Sequence, residues 1–428
     1  MGVRTRSSRR RRRKIARRDT APAATHRLPD ELLELVFLRL PSSLQLIRAA
    51  CTCKRWRRVV ADGGFLRRFR SLHPHASVVG HYRVEEFSRL FPRPPGRRPV
   101  FFPSSASPSS DTVDARHFSL DFLPARGGAY WEWELADSLG GVLLFLKERT
   151  DAPSSFFAYP PDLVVCDPLT RRHSALAIPA KFHGCYCLGA FLLDGDADET
   201  GCRIGMSNFR VLYAIFCEGL AGTLVFSSRS SLNGDGWTLV QSTGHSGMPE
   251  LPLLTSIHYA GHARESVYWM TAEDTVIVLD KATADFSFSS LPNDMPYVSD
   301  KATRIRVVGG EDGPVHIAVL TRNFLKIFVQ AEGNSQWVMK TRIVLWRAIR
   351  DLFGDKKPQP HITMDKLKET VWVAERSVVL GTEEGEGIIS MDLATMELKR
   401  VSEGIKYHGP AYEYQLPWPL TIRACLPL

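Results

Sequence analysis

The 428-residue sequence predicts a multidomain chain, α plus all-β, with a short helical unit near its start and a long antiparallel strand domain after it. Three observations predict this. Apolar residues recur at three- and four-residue steps from Leu28 to Leu72. Beyond Leu72 the period turns strand-like, and an apolar strand running into Asp-x-x-Thr recurs at Asp167, Asp280 and Asp392, 113 and 112 residues apart. Between those copies lie hairpins of a second kind, each passing through a turn with Gly and Asn into a tryptophan, Trp237 or Trp337. With 44% apolar and 24% charged residues, wholesale disorder and collagen are excluded. The longest purely apolar run, Val211 to Cys217, falls far short of the roughly 20 residues of a membrane span.

Residues 1–25 read as a disordered basic tail. Its first 18 residues hold ten basic side chains and no acid, while the rest of the chain has 45 basic against 46 acidic residues. The excess charge belongs to the tail, so the folded part has no global field to steer a nucleic acid. The run Arg9, Arg10, Arg11, Arg12, Arg13, Lys14 is expected to act as a nuclear-import signal, which implies a nuclear protein, also cytoplasmic. An organellar transit peptide, a solvated tail and nonspecific nucleic-acid binding stand beside it as alternatives. The eight cysteines include no Cys-x-x-Cys pair and follow no apolar signal segment, a pattern expected of reduced thiols.

Residues 26–72 predict three helices. The first runs from Pro29 to Pro41, with Asp30 and Glu31 at its positive end. Leu32, Leu33, Val36, Phe37 and Leu40 share one face, and Leu28, Leu35 and Leu38 widen it until the helix wants neighbours on two sides. Ser42 and Gln45 form a capping box for a second helix. Thr52 is expected to cap a third, which carries Trp56, Val59 and Val60 inward and ends at Gly63-Gly64; Phe65 to Leu72 adds a turn or two. A unit this small draws only a few kcal/mol from its own core, so a partner is expected to complete it.

Leu28-Pro29-x-Glu31-Leu32-Leu33, the second Leu40-Pro41, Arg48-Ala49-Ala50-Cys51 and Lys54-Arg55-Trp56-Arg57 stand in the order and spacing of the F-box, which this unit resembles. The resemblance implies docking onto a Skp-type adaptor and, through it, a cullin-RING ubiquitin ligase. Carried over position by position, it implies adaptor contacts at Leu28, Pro29, Leu32, Leu33, Val36 and Leu40, with Trp56 supporting the third helix.

Residues 73–112, rich in Pro and Ser, read as a lead-in segment in which Ser77 to Arg83 and Val100 to Phe102 are candidate first strands. In residues 113–428 the five turns alternate Asp, Trp, Asp, Trp, Asp at intervals of 70, 43, 57 and 55 residues. That spacing suits one four-stranded blade each, and the length left has room for six, so a six-bladed β-propeller is predicted. A β-sandwich and an open stack of hairpins are the alternatives. Asp167-Pro168-Leu169-Thr170-Arg171-Arg172 resembles a turn of the F-box-associated β domains of plant F-box proteins, particularly those of grasses.

No catalytic motif is found: Gly-x-Ser-x-Gly, a Walker loop and His-Glu-x-x-His are all missing. The acidic loop from Asp194 has Glu199 where a calcium loop needs Gly, and His183, Cys185, Cys187 and Cys202 are poorly spaced for zinc. No catalytic residue, metal or cofactor is therefore expected. Trp131, Trp133, Trp237, Trp269, Trp337, Trp346, Trp372 and Trp418 read mainly as packing residues between blades. The expectation is a non-enzymatic substrate receptor of an SCF-type ligase, binding the adaptor through the F-box and an unknown protein substrate through the β domain, with no membrane partner. The alternative is a scaffold outside the ligase, or a nucleic-acid-associated nuclear factor acting through the Arg tail.

Overall fold

The computed structural model describes residues 28–418 apart from 74–77, 84–98, 105–112, 125–132, 148–160, 196–202, 218–219, 231–235, 243–256, 264, 272–274, 292–303, 310–313, 322, 331–336, 354–369, 375–376, 382–386 and 401–410. The basic run Arg9 to Lys14 lies outside the described residues, as do Trp131, Cys202 and Cys425.

Four helices, not the expected three, build the helical unit: α1 (Asp30–Leu38), α2 (Ser43–Thr52), α3 (Lys54–Val60) and α4 (Gly63–Leu72). The fourth arises because the Asp62 carboxylate accepts the Phe65 amide at 2.8 Å, so Gly63 and Gly64 begin a helix instead of ending one. Its Phe65, Leu66 and Phe69 are buried. Ser42 caps α2 through the Gln45 amide at 3.3 Å. Cys53 replaces Thr52 as the cap of α3: its Sγ accepts the Trp56 amide, while the Thr52 hydroxyl turns back to donate to the Ala49 carbonyl.

Among the described residues the strand domain is a β-propeller with five four-stranded blades where six were expected, the sixth place in the ring being held by a sheet of three strands. All strand pairs are antiparallel. Blade 1 is β3 (Glu134–Leu139), β4 (Val142–Lys147), β5 (Asp162–Asp167) and β6 (Arg172–Leu176). Blade 2 is β7 (Tyr186–Leu193), β8 (Arg210–Cys217), β9 (Leu220–Ser227) and β10 (Trp237–Ser242). Blade 3 is β11 (Ile257–Ala263), β12 (Ser266–Thr271), β13 (Thr275–Asp280) and β14 (Phe286–Ser290). Blade 4 is β15 (Arg304–Val308), β16 (His316–Leu320), β17 (Phe324–Gln330) and β18 (Trp337–Val344), followed by α5 (Leu345–Phe353). Blade 5 is β19 (Thr370–Ala374), β20 (Ser377–Gly381), β21 (Gly387–Asp392) and β22 (Leu398–Arg400).

A three-stranded sheet closes the ring. β1 (Val78–Arg83) lies between β2 (Val100–Pro103) and β23 (Ala411–Gln415), so both ends of the domain share one sheet. β23 packs beside β19 on one side and β3 on the other, and the Ser138 hydroxyl of β3 donates to the Glu413 carbonyl at 2.6 Å. Closure by the chain's own ends removes the two long free edges an open stack would leave.

The five turns read from the sequence mark the same place in each blade, the hairpin between its third and fourth strands. In the Asp-x-x-Thr turns, Asp280 accepts the amides of Ala282 and Thr283 at 2.7 and 3.2 Å, and Asp392 those of Ala394 and Thr395 at 2.8 and 2.9 Å. The fifth residue then adopts a left-handed conformation at Arg171, Ala284 and Met396, with φ of 55°, 63° and 60°. Satisfying two amides with one carboxylate offsets the strain of a non-glycine residue there. The tryptophans staple blades: Trp237 Nε1 donates to the Ala177 carbonyl of blade 1 at 2.8 Å, and Trp269 Nε1 to the Leu188 carbonyl of blade 2 at 3.0 Å. One cysteine expectation is corrected. Cys185 and Cys217, placed opposite one another just beyond Tyr186↔Phe216, form a disulfide.

Candidate functional site

The helical unit presents two apolar faces on a single short helix. Leu33 and Phe37, one turn apart on α1, are buried against α2, α3 and α4. On the opposite side Leu28, Leu32, Leu35 and Val36 are 37%, 46%, 54% and 53% exposed, and Pro29 is exposed beside them. Four large apolar side chains in solvent on nine residues of helix and its lead-in are an interaction surface in search of a cover.

Of the residues implied as adaptor contacts, the structure gathers Leu28, Pro29, Leu32 and Val36 on this outer face. Leu40 is half-buried at the far end. Leu33 is 2% exposed: it lies about 100° around the helix from Leu32 and one turn from Phe37, on the side packed against the other helices. Leu35, singled out in the sequence only as widening the surface, belongs to the outer face. Trp56 of α3 faces α1: its ring meets Phe37 edge-on, centroids 5.1 Å apart.

Charged groups hold α1 in place from behind. Arg55 of α3 donates through Nε to Asp30 at 2.7 Å and through its Nη2 to the Leu28 carbonyl. This pins the lead-in that carries Leu28 and Pro29. Arg68 of α4 pairs with Glu34, and the His73 ring meets the Leu38 carbonyl at 3.3 Å.

Behind these contacts runs a file of rings. Phe37 meets Phe65 at 6.4 Å, Phe65 meets Phe69 at 6.2 Å, and Phe69 stacks on Trp418 at 6.1 Å, three residues past β23. Arg70 lies over the same Trp418 ring at 5.8 Å. The core of the helical unit therefore continues without a break into the closing sheet, where Tyr82, Phe101, Phe118 and Tyr414 pack together. The cover expected from a partner is thus supplied on one side by the chain's own propeller.

Inside the ring the inner strands bring a second polar group together. The Tyr259 hydroxyl lies 3.4 Å from His262 Nδ1, near Asp137 and Arg306. Surrounding protein pushes the His262 pKa down against the pull of Asp137 and raises that of Tyr259. A neutral histidine there can bond but holds no charge. Asp167 is held in its Asp-x-x-Thr turn. Burial lifts its pKa, and its oxygens are taken by Leu169, Thr170 and the Thr170 hydroxyl. Among the described residues no group of His, Cys, Asp and Glu is placed to hold a metal ion. Nor is any helix among them long and apolar enough to cross a membrane.

A model of F-box-like domains matches residues 25–73, and a model described as F-box protein AT5G49610-like, beta-propeller, matches residues 155–419. The chain belongs to this F-box β-propeller family. Curated proteins yield no match. Among solved structures, the chain is similar to one in the crystal structure of a mitotic checkpoint complex, at 12% identity over 64% of each chain and a TM-score of 0.33. It is similar to the WD40 domain of SCAP from fission yeast at 11% identity, over 66% of this chain and 55% of that one, with a TM-score of 0.33. A protein of unknown function from Desulfotomaculum acetoxidans gives 12% identity over 68% and 77% of the two chains, with a TM-score of 0.34. The F-box is thus the part that carries the exposed α1 face, and the propeller is the part that Trp418 ties to it.

Proposed function

We propose that the chain is the substrate-recognition subunit of an SCF-type cullin-RING ubiquitin ligase. The F-box docks on a Skp-type adaptor, the propeller holds a protein target, and other subunits catalyse ubiquitin transfer, so this chain needs no nucleophile of its own. The observation that carries the reading is the outer apolar face of α1 at Leu28, Leu32, Leu35 and Val36. The same reading takes the protein as a plant-type receptor, brought to the nucleus by Arg9 to Lys14.

The test is co-purification of the full chain with a Skp-type adaptor. Burying Leu32 and Val36 against a partner contributes about 1.5–3 kcal/mol each, so L32D/V36D weakens the complex by well over a hundredfold. Thermal stability should stay within a few degrees of the parent, because neither side chain is in the core. L33A serves as the contrast, since it removes a buried side chain and unfolds the F-box at a cost of about 2–5 kcal/mol. An undiminished complex with L32D/V36D refutes the assigned face. Deleting residues 1–18 is expected to abolish nuclear retention and leave adaptor binding intact; retention without the tail refutes the import signal.

A further inference from the structure

Between β18 and β19 the connection contains α5, an α-helix found nowhere else in the described residues of the propeller. Its inner side explains why it stays: Leu345 and Leu352 join Ile343, Met396 and Leu398 in the core between blades 4 and 5. Its outer side is of a different character. Trp346 is 46% exposed, unlike the buried or stapled Trp269, Trp337 and Trp237. The Arg347 and Arg350 guanidinium groups lie 5.2 and 5.1 Å from the centroid of its ring. Asp351, 3.7 Å from Arg350, offsets part of this charge.

Two cations gathered on one indole repel each other, and each loses hydration where it leans on the ring. Neither effect helps the fold. Both are relieved when a carboxylate arrives, since a guanidinium takes a carboxylate edge-on through two N–H bonds and can keep its face on the ring. Arg and Trp are also the side chains that carry most energy at protein interfaces. Outside the first 18 residues the chain is nearly neutral, with 45 basic and 46 acidic residues, so this cluster is a local feature and not a sample of a general positive field.

We propose that the outer face of α5, with Trp346, Arg347 and Arg350, is the surface on which the propeller docks an acidic segment of its protein target, one that alternates carboxylates with an apolar anchor for the indole. This places recognition on the rim between blades 4 and 5. It rests on the receptor reading above, and adaptor co-purification is followed in parallel so that the two fail separately.

The experiment uses the full chain with its adaptor and a fluorescent 14-residue peptide bearing six Asp or Glu and two Phe. Its amide counterpart, with Asn and Gln in their place, and a uridine-rich single-stranded RNA are the comparison probes. The acidic peptide is expected to bind, and raising salt from 0.1 to 0.5 M weakens it several-fold. R347E/R350E lowers its affinity at least tenfold and W346A at least threefold, while R203E/R229E, an equal change of net charge on exposed residues of blade 2, leaves it within twofold. Adaptor recovery stays the same in all variants. Equal binding of the amide peptide, or an R347E/R350E affinity within twofold of the parent, overturns the proposal. So does RNA binding that is lost in the same variant, which assigns the surface to nucleic acid.

Discussion

Trp418→Ala tests whether F-box and propeller form one mechanical unit. Trp418 is 9% exposed and stacks on Phe69 of α4 with the rings 11° from parallel, while Arg70 lies over it. Emptying a buried tryptophan site costs about 3–5 kcal/mol. The lower end applies here, because Trp418 sits on a short segment after β23 that can partly collapse onto the gap. The loss should fall on α4 and, through Phe65 and Phe37, on α1, and leave blades 1 to 5 largely untouched. Hydrogen exchange reads this directly, since about 3 kcal/mol corresponds to roughly a hundredfold faster exchange of amides that open locally. Amides of α4 and α1 are expected to accelerate by that factor, those of β8 and β12 by less than threefold. Trp418→Phe, which preserves a ring on Phe69, should recover most of the protection. If α4 amides in Trp418→Ala exchange within threefold of the parent, the ring file does not couple the two parts and the continuous core carries no energy.

Asp280→Ala leaves the amides of Ala282 and Thr283 without their acceptor and should destabilise the propeller by about 1–2 kcal/mol in urea unfolding, while Asp280→Asn, which keeps an oxygen, costs less than half of that. The disulfide between Cys185 and Cys217 closes a loop of 32 residues, so Cys217→Ser should cost about 3–4 kcal/mol on the chain-entropy account, and a reductant should lower the stability of the parent but not of the variant. His316 is buried, and burial with Lys340 nearby holds its pKa below the ordinary histidine value against a pull from the Pro314 backbone. The unfolded chain then takes up a proton near pH 6.5 that the fold refuses. Stability should be level above about pH 7.5 and fall as pH drops below 6.5, with a shallower slope in His316→Asn; an unchanged slope in that variant removes His316 as the cause.

The helices and the turns were legible in the sequence for opposite reasons. The helical unit showed itself by an excess of apolar residues, yet Leu33 and Val36 could be assigned to one face because the helix is apolar nearly all round. Only packing against Phe37 and Phe65 distinguishes the inner row from the outer one. The five turns showed themselves by chemistry, Asp amide acceptors and Trp staples, and each marks one four-stranded blade. Dividing the remaining length by their spacing suggests six, and the sixth place in the ring belongs to the three-stranded sheet that both ends of the domain enter, which no turn motif announces. The fourth helix was hidden by Gly63-Gly64, a pair that ends helices unless a carboxylate such as Asp62 stands just before it. The Tyr259 and His262 pair was hidden by a register shift. Three residues apart on a regular strand they would face opposite ways, but the bulge between Tyr259 and Gly261, with Gly261 at φ 132°, turns both to one side.

The shared closing sheet gives the two ends of the propeller one fate, and the ring file extends that fate to the F-box. β1 follows α4 after a short link and pairs with β23, while Trp418 just beyond β23 returns to α4. A chain that has not closed its propeller therefore has no stacked Trp418, and its α1 lacks the inner support that keeps Leu32, Leu35 and Val36 aimed outward. Adaptor affinity should for this reason report on propeller closure. A variant that weakens the β1 and β23 pairing, such as Tyr82→Pro, is expected to lose adaptor binding although every residue of the α1 face is intact. Full binding in that variant, with β23 shown to be detached by hydrogen exchange, would make the F-box energetically independent of the ring it caps.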